Sequence, residues 1–253
     1  MLQKLIDQFL PDQELINQIG ITTFILMIGI AILAAIISGW MKVNRKIRTP
    51  YTRKTFHFII FSTAGVLQYN YGLKAVTFFG VLVFLFVLIA VILGERFAFY
   101  KALARETDAP HEKKFIILPL LATALGGVLS NIFFPAAAYI GYFVGGWGDA
   151  VGEPVGTKWG KHRYTVPTLF GVRATRSIEG STAVMLVSMI ISAGCMWQIT
   201  EVSLVGCLLT GFLCGLAACL VEAISSHGLD NLTMQLTAAG VLQFFLDNPY
   251  LIK

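Results

Sequence analysis

The sequence predicts an all-α, polytopic integral membrane protein with about eight transmembrane helices. Three observations lead there. The 253-residue chain is 56% hydrophobic and only 13% charged, about half the charged share of a globular domain, and its mean hydropathy is +0.74. The run Ile19–Trp40 carries no charge over the length of a full bilayer crossing. Apolar segments then recur to the C-terminus and leave no soluble domain of useful size.

Taken in order, Leu2, Leu5, Ile6, Phe9 and Leu10 fall at helical spacing before Pro11. They suggest an N-terminal interfacial segment over residues 1–18, and residues 19–250 form a single transmembrane helical domain. The expected crossings are Ile19–Trp40, Phe56–Tyr71, Ala75–Leu93, Phe115–Phe134, Ala136–Val155, Thr182–Thr200, Val202–Val221 and Leu232–Leu246. The first is too long for a signal-peptide core and no small-residue cleavage site follows it, so it is expected to be retained. Cys195, Cys207, Cys214 and Cys219 lie in late apolar runs without a CxxC pair, which indicates neither a disulfide framework nor a zinc site.

Most of the 19 Lys and Arg fall in three loops. Lys42, Arg45, Lys46, Arg48, Arg53 and Lys54 follow the first crossing. Arg96, Lys101, Arg105, Lys113 and Lys114 follow the third, and Lys158, Lys161, Arg163, Arg173 and Arg176 follow the fifth. With eight crossings these loops share one side, which the positive-inside rule makes cytoplasmic, with the N-terminus outside. No basic groove interleaved with aromatics is present, so nucleic acid is not an expected partner.

The polar groups collect near that same face. Gly141, Gly145, Gly148, Gly152, Gly156 and Gly160 recur at steps of three and four, which on a helix gives one face without side chains. Asp149 and Glu153, four apart, share a face near the membrane edge. A carboxylate that deep in an apolar run needs a salt bridge to a loop cation or a metal, and Mg²⁺ on nucleotide phosphates wants one or two carboxylates. The glycines beside them would let phosphates reach backbone N–H groups, although helix packing uses the same spacing. Arg53, Lys54 and His57 open the second crossing as an anchor or a phosphate clamp. Lys161, Arg163, Arg173 and Arg176 form a basic loop suited to lipid headgroups or to a triphosphate. Ser177 is placed to cap the sixth crossing, with Glu179 and Gly180 in its first turn and Ser181 after them. Glu222, Ser225, Ser226, His227, Asp230 and Asn231 form the last polar group, in which Asp230 would either cap the eighth crossing or serve a site. Neither a Walker A sequence nor a GxSxG, HExxH or GxGxxG pattern occurs.

Arg-Lys-Thr-Phe-His at 53–57, Gly148–His162, Arg-Ser-Ile-Glu-Gly-Ser at 176–181 and Glu222–Leu232 occur in the order seen in the CTP-dependent polyprenol kinase family. The chain resembles that family from about Arg53 to Leu232; its members include dolichol, phytol and farnesol kinases and a CTP-dependent diacylglycerol kinase. The resemblance implies an all-helical enzyme that moves the γ-phosphate of CTP to a lipid alcohol with a divalent metal, Mg²⁺. It implies a nucleotide site lined by Gly148, Gly152, Gly156, Gly160 and Lys161 together with Arg176, Ser177, Glu179, Gly180 and Ser181. Asp149 is then expected to hold the metal with Glu153 or Glu222, and Lys161, Arg163 and Arg176 to neutralise phosphates. Arg53 and Lys54 would close the site, and Asp149, Glu222 or His57 would act as general base. Ser225, Asp230 and Asn231 are further polar site residues. The expected partners are CTP and a membrane lipid alcohol, and homo-oligomerisation is left open. The rival readings are a CTP-using CDP-lipid cytidylyltransferase, which would release pyrophosphate, and a transporter, which would place polar groups at the bilayer midplane.

Overall fold

The computed structural model describes residues 9–10, 13–199 and 201–253. The amphipathic segment expected at Met1–Phe9 lies almost wholly outside the described residues. The fold is α-helical apart from one short hairpin, and it divides into two compact units, Met1–Ala104 and Arg105–Lys253. The sequence suggested one helical domain over 19–250.

The first unit holds α1 (Gln13–Val43), α2 (Thr49–Leu93), a 3-10 turn at Gly94–Arg96 and the short α3 (Ala98–Leu103). Pro50 sits in the first turn of α2, where its missing N–H costs nothing. Gly72 interrupts α2 with φ 77° and ψ −168°, a backbone that L side chains rarely adopt. The expected second and third crossings are therefore the two arms of this one 45-residue element. Thr52 Oγ1 donates to the Ala102 carbonyl at 2.8 Å and ties the start of α2 to the end of α3. Met27, Phe79 and Phe99 are buried between these helices.

The second unit holds α4 (Glu112–Phe133), α5 (Ala138–Trp159), strands β1 (Arg163–Val166) and β2 (Ala174–Ser177), and then α6 (Ile178–Ile199), α7 (Leu204–Ile224) and α8 (Asp230–Asp247). α6 packs between α5 and α7, and α8 packs on α4, α5 and α7. The core is built from Ile140 and Val144 of α5, Met196 of α6, Cys207 and Cys214 of α7, and Ala238 and Leu242 of α8. All four cysteines are free, as their spacing suggested. Ile190, Trp197, Val205, Leu220 and Ile224 are exposed on α6 and α7, the arrangement of helices whose outer faces meet hydrocarbon.

Five described helical segments are long and apolar enough to cross a membrane, at 19–43, 49–96, 112–133, 178–199 and 204–224. The chain is thus a membrane protein by the length and composition of its helices, but the count departs from the expected eight. One reason is the merger across Gly72. The other is that α5 carries Asp149, Glu153 and Lys158, and α8 carries Asp230, Asn231, Gln235 and Asp247. Those residues lower the mean hydropathy of two helices that the sequence placed in the bilayer.

The hairpin was expected as an irregular basic loop. Instead Arg163, Tyr164, Thr165 and Val166 pair antiparallel with Ser177, Arg176, Thr175 and Ala174. Successive strand side chains point to opposite faces. Arg163, Thr165 and Thr175 are accordingly exposed, while Tyr164 and Arg176, directly opposite each other, lie partly buried on the other face.

Candidate functional site

The inner face of the hairpin meets the ends of α5, α6, α7 and α8. Arg176 reaches three groups from three different nitrogens. Its Nε lies 2.8 Å from Glu222 Oε1, its Nη2 lies 2.9 Å from Asp230 Oδ2, and its Nη1 donates to the Ser225 carbonyl at 3.2 Å. The Arg176 and Glu222 side chains are each only 11% exposed, so both charges are held away from bulk water and need one another. Ser181 Oγ donates to the second Glu222 oxygen at 3.0 Å. Ser181 has one proton and gives it to the carboxylate, so the 2.6 Å contact with Tyr164 runs from the Tyr164 hydroxyl to Ser181 Oγ. Burial pushes the Tyr164 phenol above its ordinary pKa, which keeps it a donor.

A second buried guanidinium stands beside the first. Arg105 places Nε 3.1 Å from Asp108 Oδ2, Nη1 2.8 Å from Glu153 Oε1 and Nη2 3.1 Å from His227 Nε2. His227 Nε2 is also 3.4 Å from Asp108 Oδ1. An arginine has no lone pair to offer, so at the shorter contact Nε2 is the acceptor and His227 carries its ring proton on Nδ1. The His227 backbone N–H donates to the Pro167 carbonyl at 2.9 Å and fastens the 225–229 loop to the hairpin. Asp149 is buried, and its charge acts on both arginines. Burial alone would lower the pKa of Arg105, but Glu153 and Asp108 outweigh it and drive the value up. Arg176 likewise ends above its ordinary value, with burial opposed by Asp230 and Glu222.

Of the residues singled out in the sequence, the structure brings together Asp149, Glu153, Arg176, Ser181, Glu222, Ser225 and Asp230. Glu153 takes the salt bridge that a deep carboxylate was expected to find, with Arg105 of the preceding loop. Asp230 opens α8, accepts from the Asn231 amide at 3.1 Å and pairs with Arg176, so it serves the helix end and the network together. Ser225 ends α7 by donating to the Val221 carbonyl at 2.6 Å. Among the described residues no group of three or more His, Cys, Asp and Glu is arranged to hold a metal.

Others make contacts of their own, described within each unit. Asn231 turns toward α4 and donates to Thr123 Oγ1 at 2.9 Å. Lys161 and Arg163 are exposed on the outer side of the hairpin. Glu179 pairs with His162 Nδ1 at 2.8 Å. The glycine face of α5 is taken up by packing rather than left open. A Cβ on Gly148 would stand 2.9 Å from Ser188 Oγ, one on Gly152 2.5 Å from Val184 Cγ2, and one on Gly156 2.9 Å from Ser177 Oγ. Gly160 also abuts Ser177. From the opposite helix, a Cβ on Gly180 would stand 2.8 Å from the Gly152 carbonyl oxygen. These glycines let α5 and α6 approach to backbone contact. Ser177 caps α6 as expected, accepting from the Gly180 amide at 3.1 Å. Arg53, Lys54 and His57 occupy the first turns of α2 in the other unit, where Lys54 is buried and the His57 ring stacks on Phe61 at 4.1 Å.

A phytol kinase of Synechocystis sp. is 30% identical to this chain over 134 residues, which cover 53% of the chain and 55% of that protein. The similarity supports a polyprenol/phytol-kinase-like family. The match thus spans about half the length of this curated relative. No family model matches this chain, and no solved structure matches it.

Proposed function

We propose that this protein is a membrane lipid kinase that transfers the γ-phosphate of CTP to a lipid alcohol, a polyprenol such as phytol, farnesol or dolichol. The observation that carries the reading is the buried convergence of Arg176, Glu222, Asp230 and Asp149 at the ends of apolar helices, in a chain similar to a phytol kinase. Phosphoryl transfer asks a protein for positioning and charge neutralisation rather than covalent chemistry. A polar cluster where apolar helices end lets a lipid hydroxyl arrive from the bilayer while the nucleotide arrives from water. The basic loops favour the cytoplasmic side for that meeting.

The carboxylates of the network would repel a bare triphosphate. Mg²⁺ fits this donor set, because it binds through one or two carboxylates plus substrate phosphates and keeps its remaining waters. We assign it to Asp149, which lies one helical turn from Glu153 on α5 and whose charge acts on both arginines. When bound, the ion would neutralise charge on the triphosphate. Arg176 then acts by holding Glu222 and Asp230 in place, and the exposed Lys161 and Arg163 meet the incoming phosphates from the solvent side.

Purified protein given CTP or ATP, Mg²⁺ and a panel of lipid alcohols tests the reading. CDP and a lipid phosphate are the expected products. Pyrophosphate would instead indicate a cytidylyltransferase, and no turnover with any pair would remove the kinase assignment.

A further inference from the structure

Arg105 stands among the arginines that the positive-inside pattern demands, yet its side chain is only 13% exposed and makes three contacts from three nitrogens. The contacts go to three separate parts of the second unit: Asp108 in the 3-10 turn at Glu106–Asp108, Glu153 on α5, and His227 in the loop between α7 and α8. A planar guanidinium fixes the directions of all three partners at once, which an ammonium cannot do. Glu153 lies one helical turn from Asp149, so clamping it fixes the rotation of the α5 turn that presents Asp149. His227 in turn holds the hairpin through Pro167, and the hairpin carries Tyr164 and Arg176.

We propose that Arg105 is a positioning residue. By clamping Asp108, Glu153 and His227 it sets the α5 turn bearing Asp149 and the 225–229 loop in their working arrangement, without itself contacting nucleotide. This rests on the kinase reading for its kinetic consequence and on geometry alone for the clamp.

The experiment compares Arg105→Lys, Arg105→Gln, Glu153→Gln and the double variant Arg105→Gln/Glu153→Gln, all as full chains in detergent. Thermal unfolding gives a double-mutant cycle that needs no activity. Each single change is expected to lower Tm by several degrees, and the double variant to lose clearly less than the sum, because the Arg105 change then no longer strands the Glu153 carboxylate. Additive losses would overturn the clamp, and this arm stands even if no kinase turnover is found. In the kinetic arm, Arg105→Lys is expected to lower kcat at least tenfold with the nucleotide KM changed less than twofold. A tenfold rise in that KM at unchanged kcat would make Arg105 a phosphate contact and overturn the positioning role. If Arg105→Gln fails to fold, the Lys variant and Glu153→Gln with its Arg105→Lys partner complete the same cycle.

Discussion

Replacing Arg176 separates a guanidinium that organises the protein from one that grips the nucleotide. In the structure it satisfies the buried Glu222 and partly buried Asp230 carboxylates and one carbonyl at 2.8, 2.9 and 3.2 Å. Lysine keeps the charge but offers a single nitrogen, so at least one charge-assisted hydrogen bond is lost, a cost of about 1.5–3 kcal/mol. For a chain of this size each kcal/mol moves Tm by roughly 2–4 °C, so Arg176→Lys should unfold about 3–12 °C lower. Arg176→Met strands Glu222 and Asp230 without their cation, and breaking a buried pair in that way costs about 3–5 kcal/mol, a large part of a typical total stability. Adding Glu222→Gln to Arg176→Met should recover part of the loss. The pH dependence has a definite sign. A cation whose pKa is raised on folding contributes its stability below the unfolded value and loses it only as pH climbs through the folded one. Arg176 is raised above its ordinary value, so the gap between wild type and Arg176→Lys should stay flat from about pH 7 to 9, below the ordinary lysine pKa. Tryptophan fluorescence during heating reads these shifts. An Arg176→Lys protein that melts at the wild-type temperature while its nucleotide KM rises steeply would refute the reasoning, because the guanidinium would then belong to the substrate rather than to Glu222 and Asp230.

The other expectations are more local. Asp149→Asn should abolish turnover while leaving the protein folded, with an unchanged elution volume, and near-normal activity would remove Asp149 from the site. Gly180→Ala pushes a Cβ to 2.8 Å from the Gly152 carbonyl and 3.3 Å from the Gly156 Cα, so overpacking should cost about 1–3 kcal/mol in a melting experiment. Gly194→Ala on the same helix meets nothing within 4 Å and should be neutral or stabilising by up to about 1 kcal/mol. Tyr164→Phe removes the proton donated to Ser181, a loss of about 0.5–1.5 kcal/mol, and should slow the proposed phosphoryl transfer several-fold, which a single-substrate rate assay would detect.

Much of this was legible in the sequence because burying charge in an apolar chain is costly, so Asp149, Glu153, Glu222 and Asp230 stood out against their surroundings. Their convergence with Arg176 could be anticipated from the same cost. The helix end at Ser177 was legible too, since a serine three residues before a small residue supplies a cap wherever the helix begins. The hairpin was not. Its strands are four residues each, and the alternation of Arg-Tyr-Thr-Val with Ala-Thr-Arg-Ser was hidden under a charge pattern that also suits a loop; β-branched Thr165, Val166 and Thr175 were the available signal. Arg105 was hidden for a different reason. A basic residue just past a crossing is what membrane topology requires anyway, so nothing local distinguished the arginine that turns inward from those that stay in water. The glycines of α5 had two readings of equal spacing, and only the position of α6 at Gly180, Val184 and Ser188 selects packing. Gly72 could not be told from an ordinary turn between two crossings, because a single residue in a left-handed conformation bends a helical stretch without adding a loop.

The charge inventory of the second unit ties these pieces to function. Around two guanidinium groups, Arg105 and Arg176, stand five carboxylates: Asp108, Asp149, Glu153, Glu222 and Asp230. The arginines are committed to Asp108, Glu153, Glu222 and Asp230, and Asp149 influences both from the helix face between them. On the kinase reading, a metal-chelated triphosphate adds a further cation to this cluster during work. Nucleotide without metal should then bind poorly, and metal without nucleotide weakly, so that each raises the affinity of the other by the same factor.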